Sequence, residues 1–290
     1  MPDVGPFGSA SVVVFGLLSA AAWGSADFGG GLTTRRATLY GVVLVSQLTG
    51  MALALVLALL RGEAMPAATD AGWAVVAGLL GAVGIAGLYS GLAVGRMGVV
   101  APVTGVLAAV VPVAAGIALE GLPPTIVLVG IVLAIAAVVL VSRVPGEAGG
   151  RSGIELALVA GVALGLFNVA ISRVDDALVF GPLTIVRGVE ALTIGTVVIV
   201  SRRRVAVPAR LLPAVAGVGV LDMTGNAAFM FAQGMGALAV AAVLSSLYPV
   251  ATLILAAAVL GERMTRSHAI GIAAAVAGIV LIGAGAAPAT

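Results

Sequence analysis

Ten runs of about twenty apolar residues each follow one another along this chain, with only short polar breaks between them. A helix rising 1.5 Å per residue needs roughly 20 such residues to cross the hydrocarbon of a bilayer. The runs are approximately Phe7–Ala26, Leu39–Leu60, Gly72–Val94, Val99–Leu119, Pro124–Ser142, Gly153–Ser172, Leu178–Ser201, Leu211–Phe231, Ala237–Leu260 and His268–Ala286. In lipid, backbone N–H and C=O groups must find partners within the protein, which leaves helices as the spanning form for runs of this length. The expectation is an all-α integral membrane protein of ten transmembrane helices with no soluble domain.

Composition closes the alternatives. Hydrophobic residues make up 61% of the chain and charged residues 9%, whereas a soluble domain is about 25% charged. Too few charges remain to cover a surface in water. All 14 basic residues are Arg, and they sit in short clusters between apolar runs, with a formal net charge of +2. No continuous basic face exists, so nucleic acid is not an expected partner. There is no Cys and one His, which excludes disulfides, thiolate catalysis and Cys or His metal clusters. No metal or cofactor is expected. The first residues lack a basic segment, so the first run is expected to remain as a helix rather than be cleaved.

The chain divides at its midpoint. Val144-Pro-Gly-Glu-Ala-Gly-Gly-Arg151 carries Pro, Gly and charge and reads as a linker. The expected organisation is a first five-helix unit over 1–143, a linker over 144–152 and a second five-helix unit over 153–290. Each half shows a Gly turn (Gly95-Arg-Met-Gly98; Gly234-Met-Gly236), a helix with Pro (Pro112; Pro249), an acid (Glu120; Glu262) and a helix rich in Gly and Ala. Five spans is an odd number, so the second copy enters the membrane from the opposite side. Inverted repeats of this kind place a shared site near the midplane between them. Both halves of the cavity then lie in one chain, so a monomer suffices.

These residues resemble the EamA repeat of the drug/metabolite transporter superfamily. The second copy carries the resemblance best, at Gly236 to Gly283 with Leu260-Gly-Glu-Arg263 inside it. Trp23-Gly24 matches as well, as does Pro182 followed by Arg187. In the first copy eight positions separate Pro112 from Glu120, against thirteen from Pro249 to Glu262, and Glu120 is not followed by Arg. The resemblance implies a ten-helix inverted-repeat carrier that moves a small polar metabolite, such as an amino acid or related compound, out across the cytoplasmic membrane by alternating access. It implies a transporter and not an enzyme. The alternatives are a lipid-handling, flippase-like protein or an assembly partner with no solute path.

Ionisable residues inside spans are costly, and so they are the first site candidates. Arg187 and Glu190 are three apart in span seven and share a helix face. Two readings stand: Arg187 meets a substrate anion or Glu190 carries a coupling proton, or the two form a structural pair near the interface. Asp222 and Asn226 are four apart in span eight. Asp222 lies about midway and reads as a lone carboxylate lining a wet cavity, a candidate for proton coupling or an amine contact. Gln47, Asn168 and Gln233 are hydrogen-bonding candidates or interhelical ties. Trp23, Tyr89 and Tyr248 are candidate aromatic walls, and Pro249 frees a carbonyl one turn before it. Trp73 reads as an interface anchor. Asp27 reads as a loop-side residue after span one, with Gly24, Gly29, Gly30 and Gly31 loosening that helix end. Glu120, Glu262 and His268 read as residues of span ends.

Orientation receives two opposed expectations. Arg35, Arg36, Arg96, Arg143, Arg151, Arg202, Arg203, Arg204, Arg210, Arg263 and Arg266 fall in odd-numbered loops, and only Arg61 and Arg173 fall in even ones. The excess of Arg places the odd loops in the cytoplasm and both termini outside. The resemblance implies both termini inside.

Overall fold

The structure is a computed structural model, and it describes residues 6–95, 97–142, 153–261 and 266–286. Among the described residues it is helical throughout, without a strand. The helices are α1 (Pro6–Thr34), α2 (Leu39–Arg61), α3 (Ala68–Val94), α4 (Met97–Glu120), α5 (Thr125–Ser142), α6 (Ile154–Ile171), α7 (Phe180–Val200), α8 (Leu212–Gly234), α9 (Leu238–Ser245), α10 (Tyr248–Leu260) and α11 (Arg266–Ala286). Among the described residues seven stretches are long and apolar enough to cross a membrane, with α9 and α10 together forming one of them over Leu238–Leu260. Shorter apolar helices lie at Val103–Leu119, Thr125–Ala137 and Ala269–Gly278. The protein is a multi-pass membrane protein.

Local chemistry sets the helix ends. The Thr38 hydroxyl caps α2 by accepting from the Gly41 N–H at 3.2 Å, which satisfies one orphan donor of the first turn. Gly62 ends α2 at φ 62°, a left-handed conformation that glycine adopts without a Cβ clash. The ninth run is broken. Ser246 and Leu247 separate α9 from α10, and Pro249 stands in the first turn of α10, where its missing N–H leaves no helical bond unmade.

Span one differs from its expectation. The chain does not loosen at Gly29, Gly30 and Gly31; α1 runs unbroken to Thr34 and carries Asp27 inside it. Those glycines serve close packing. Gly30 lies under the Tyr89 ring, so that any Cβ there overlaps it, and Gly24 sits against the Tyr248 carbonyl and the Ala251 methyl. Lipid tails are as apolar as leucine, so apolarity gives helices no preference for one another over lipid. Small residues supply the close backbone approach that does. The same device recurs at Gly219 on Ser46, at Gly78 on Val186 and Val189, at Gly161 on Leu107, and at Gly278 on Gly130 and Ala134.

The packing partners form a regular pattern. α1 packs on α8 as α3 packs on α6; α3 on α7 as α2 on α8; and α4 on α6 as α1 on α9 and α10. α2 pairs with α7, and α5 with α11. Large apolar side chains face outward, with Leu60 78% and Ile199 77% exposed, while Arg187, Glu190, Asp222 and Asn226 are buried. This distribution inverts that of a soluble protein and fits a lipid solvent.

Two clasps join loops distant in sequence. After α2, the Glu63 carboxylate accepts from the Phe180 and Gly181 N–H groups, each at 2.8 Å, an acid on the positive end of α7. The Arg61 guanidinium beside it lies over the rings of Phe180 and Phe231. Elsewhere the Thr38 N–H donates to the Ala206 carbonyl at 3.0 Å, and the Ala206 N–H donates back to the Thr38 hydroxyl at 2.9 Å. The second clasp brings Arg35 and Arg36 beside the segment that carries Arg202, Arg203 and Arg204. Arg173 lies over Trp73, near the clasp made by Glu63. The linker 144–152 and Glu262 lie outside the described residues, as do the side chains of Glu120 and His268.

The glycine contacts make a direct prediction. Gly219→Ala places a methyl on the Ser46 backbone and lowers stability by about 1–3 kcal/mol, the usual cost of overpacking. Gly72 and Gly195 lie within helices with open space around them, so the same change there leaves stability equal or raises it by up to about 1 kcal/mol, the helix-propensity difference. Thermal unfolding of the three detergent-solubilised variants checks it, and equal melting temperatures would show that α2 and α8 do not meet at Gly219.

Candidate functional site

Polar side chains of three helices meet at one nitrogen. Arg187 projects from α7, and its Nη1 donates to Gln47 Oε1 of α2 at 2.6 Å, to Glu190 Oε2 one turn along α7 at 2.9 Å, and to Asp222 Oδ2 of α8 at 2.6 Å. The Arg187 and Glu190 side chains are each 3% exposed. Two N–H groups on one nitrogen thus serve three acceptors. Asn226 Nδ2 donates to the Asp222 carbonyl at 2.7 Å and lies 3.3 Å from its Oδ1, which holds the carboxylate in place. Glycines make the space. Gly50 lets α2 approach α8 at the Gly219 carbonyl, 3.3 Å from where a Cβ would stand, and a Cβ at Gly81 overlaps Glu190 Oε1.

The arrangement uses only part of the guanidinium. Arg187 Nε and Nη2 are buried without a hydrogen-bond partner among the described residues, as is Gln47 Nε2. A guanidinium offers five N–H donors in a planar fork. The unused Nε and Nη2 form the edge that binds a carboxylate or phosphate bidentately.

This cluster forms part of the wall of an internal cavity of about 50 Å³, room for a few waters where one needs about 10–15 Å³. Trp23, Asp27, Asn168, Arg187, Glu190, Asp222, Asn226, Ser246 and Tyr248 supply its polar and aromatic lining; Ile85, Leu88, Leu164 and Phe167 supply apolar wall. The lining comes from α1, α3, α4, α6, α7, α8 and α10, with the α9–α10 break contributing Ser246. Trp23 is fixed by Phe229 at 5.7 Å between ring centroids and by the edge of Tyr248 at 6.4 Å. Gly225 leaves room for its indole. No group of three His, Asp or Glu among the described residues stands close enough to hold a metal ion.

Measured against the sequence, Trp23, Asn168, Arg187, Glu190, Asp222, Asn226 and Tyr248 share the cavity. Gln47 stands behind its wall and positions Arg187. Tyr89 is buried, but its ring packs on Gly30 and does not line the cavity. Gln233 also lies off it. Asp222 is not a lone carboxylate, because Arg187 pairs with it. Arg187 and Glu190 are buried in the protein interior. Asp27 is the residue that sequence reading misplaced. It is 6% exposed and in the cavity wall. Its spacing of four from Trp23 was the available signal, since it puts both on one face if the helix continues past the glycines.

Similarity to known proteins follows the same outline. Residues 151–284 match the EamA-like transporter family. No curated protein sequence matches the chain. One solved structure, described only as "Crystal structure of protein", aligns with a TM-score of 0.67 at 21% identity, over 94% of this chain and 96% of that one. At that identity the likeness shows the fold.

Charge balance in the network yields a test. Arg187→Ala strands two carboxylates in the interior, and breaking a buried pair in this way costs about 3–5 kcal/mol. Adding Glu190→Gln and Asp222→Asn to that variant restores most of the lost stability, because neither stranded carboxylate remains. Melting temperatures of the single and triple variants decide the matter, and a triple variant no more stable than the single would mean the three residues do not form one charge network.

Proposed function

Because residues 151–284 belong to the EamA-like transporter family, we propose that this protein is a secondary carrier that moves a small polar metabolite, an amino acid or a compound like one, outward across the cytoplasmic membrane by alternating access. The ten spans are α1 to α8, α9 with α10, and α11. They form two inverted five-helix repeats over 1–143 and 153–290. Support for the repeat comes from the packing partners: exchanging each span with the one five places on turns the pair α1 and α8 into α6 and α3, and returns α2 with α7 and α5 with α11 to themselves.

The observation that carries the functional reading is the Arg187 network in the wall of an internal cavity. A purely structural tie has no need of a cavity or of an unused guanidinium edge. Three acidic residues, Asp27, Glu190 and Asp222, and one guanidinium line that cavity. The excess negative charge calls for a positive one, supplied by a coupling proton or by the solute itself. The polar lining is made of buried side chains from several helices rather than of an exposed outer face, which supports a solute path over lipid handling.

Counterflow in proteoliposomes tests this. Purified protein loaded with unlabelled metabolite accumulates the labelled one transiently and saturably, and Asp222→Asn lowers the rate about tenfold or more, as loss of a charged buried hydrogen bond does. Unsaturable flux without counterflow would identify a channel. Counterflow unchanged in Asp222→Asn would place the site elsewhere, and its absence with every metabolite would reject the carrier.

A further inference from the structure

The two clasps stand at opposite ends of α2 and α7 and differ in one respect. The Glu63 clasp joins the segment after α2 to the start of α7. The Thr38 clasp joins the segment after α7 to the start of α2. At the first, the chain supplies its own anion, the Glu63 carboxylate, whose side chain is 5% exposed. At the second it supplies arginines and no acid. Arg35 and Arg36 lead into Thr38, and Arg202, Arg203 and Arg204 lead into Ala206. Two residues of chain span at most about 7 Å, so Arg36 and Arg204 are both held close to the hydrogen-bonded pair of Thr38 and Ala206.

Gathered like charges repel, and an anion between them removes that cost. The described ion pairs join Arg187 to Glu190 and Asp222, and Arg61 to Glu63. None of the five arginines at the Thr38 clasp has a described carboxylate against it, and all five are exposed. Between the two loops lies an open cleft of about 350 Å³, lined by Arg35, Arg36, Ala37, Thr38, Ala206 and Pro208. A water takes about 30 Å³ of liquid, so the cleft has room for a phosphate group and waters around it. Guanidinium groups bind phosphate oxygens in pairs.

The surroundings of the arginines say which phosphate fits. Ile199 and Val200, just before them at the end of α7, are each 77% exposed, and Val205 and Leu212 on the same connection are exposed as well. A soluble anion meets only the charge. A phospholipid meets both features, its phosphate on the arginines and its acyl chains along Ile199 and Val200. The arginines at the other end of α2 and α7 are engaged within the protein, Arg61 over Phe180 and Phe231 and Arg173 over Trp73. We infer that the Thr38 clasp, with Arg35, Arg36 and Arg202 to Arg204, is a binding site for an anionic phospholipid, whose phosphate bridges the α1–α2 and α7–α8 connections. The lipid is a fixed partner of this outer surface and not a carried solute, so the inference stands apart from the carrier reading.

A ligand that binds the folded state raises its melting temperature, and this gives the test. The purified protein in detergent is titrated with dioleoyl phosphatidylglycerol, with dioleoyl phosphatidylcholine, and with glycerol 3-phosphate, which has the phosphate without the chains. Phosphatidylglycerol raises the melting temperature saturably by about 4 °C or more, and the other two shift it by less than about 1 °C. Each arginine near a lipid surface is worth roughly fivefold in affinity, so Arg35→Gln with Arg36→Gln raises the half-saturating concentration of phosphatidylglycerol about 25-fold, and Arg202→Gln with Arg204→Gln does the same. Arg61→Gln with Arg173→Gln removes as much charge elsewhere and leaves that concentration unchanged. A cooperative transition without lipid shows that each variant is folded. No shift with phosphatidylglycerol, or an equal shift with phosphatidylcholine, overturns the site. A shift reproduced by glycerol 3-phosphate assigns the cleft to a free phosphate and overturns the lipid. Undiminished binding in either variant at the clasp, or an equal loss in the Arg61 and Arg173 variant, also overturns it, the last by showing that net charge alone attracts the lipid.

Discussion

A charge inside hydrocarbon must be compensated within the protein, and the bundle is arranged about that requirement. Arg187 sits in the interior, where no water shell balances it. Its partners come from α2 and α8 as well as from its own helix. Those partners fix the relative height and rotation of the three helices, since hydrogen bonds of 2.6–2.9 Å tolerate little sliding. Asn226 then fixes Asp222, and Gly81 leaves space for the Glu190 carboxyl group.

Close packing gives this network its enclosure. Gly24, Gly219 and Gly225 bring α1, α2, α8 and α10 to distances that any Cβ prevents. The apolar faces left over turn outward to lipid. What remains unfilled is the cavity, lined on one side by Arg187, Glu190 and Asp222 and elsewhere by Asp27 and two aromatic rings. The break between α9 and α10 contributes to the same space through Ser246 and Tyr248, an example of irregular backbone at membrane depth being tolerated where it faces a cavity.

Much of this was legible in the chain. Apart from the end of α1, which runs to Thr34 and not to the expected Ala26, the apolar runs located the helices to within a few residues, because the bilayer imposes a length and the loops carry the charge. The ionisable residues within those runs named most of the cavity, because charge at such positions is rare without a function. Two errors have physical causes. Asp27 next to Gly29, Gly30 and Gly31 read as the end of a helix, since glycine weakens helices in water; against Tyr89 and Val218 the same glycines are packing surfaces, and the helix continues. Asp222 read as lone because its cation stands 35 positions away on another helix.

By itself the sequence determined that the protein lies in a membrane, that it is helical, and which ionisable groups must be kept from lipid. Those properties depend on composition and on runs along one segment. Which groups neutralise one another, which carboxylate and which guanidinium edge are left over, and that Tyr89 supports the cavity's surroundings without lining it were decided by tertiary structure alone. Pairing depends on the rotation and height of neighbouring helices. Those are set by small-residue contacts between segments far apart in the chain, and no single segment encodes them.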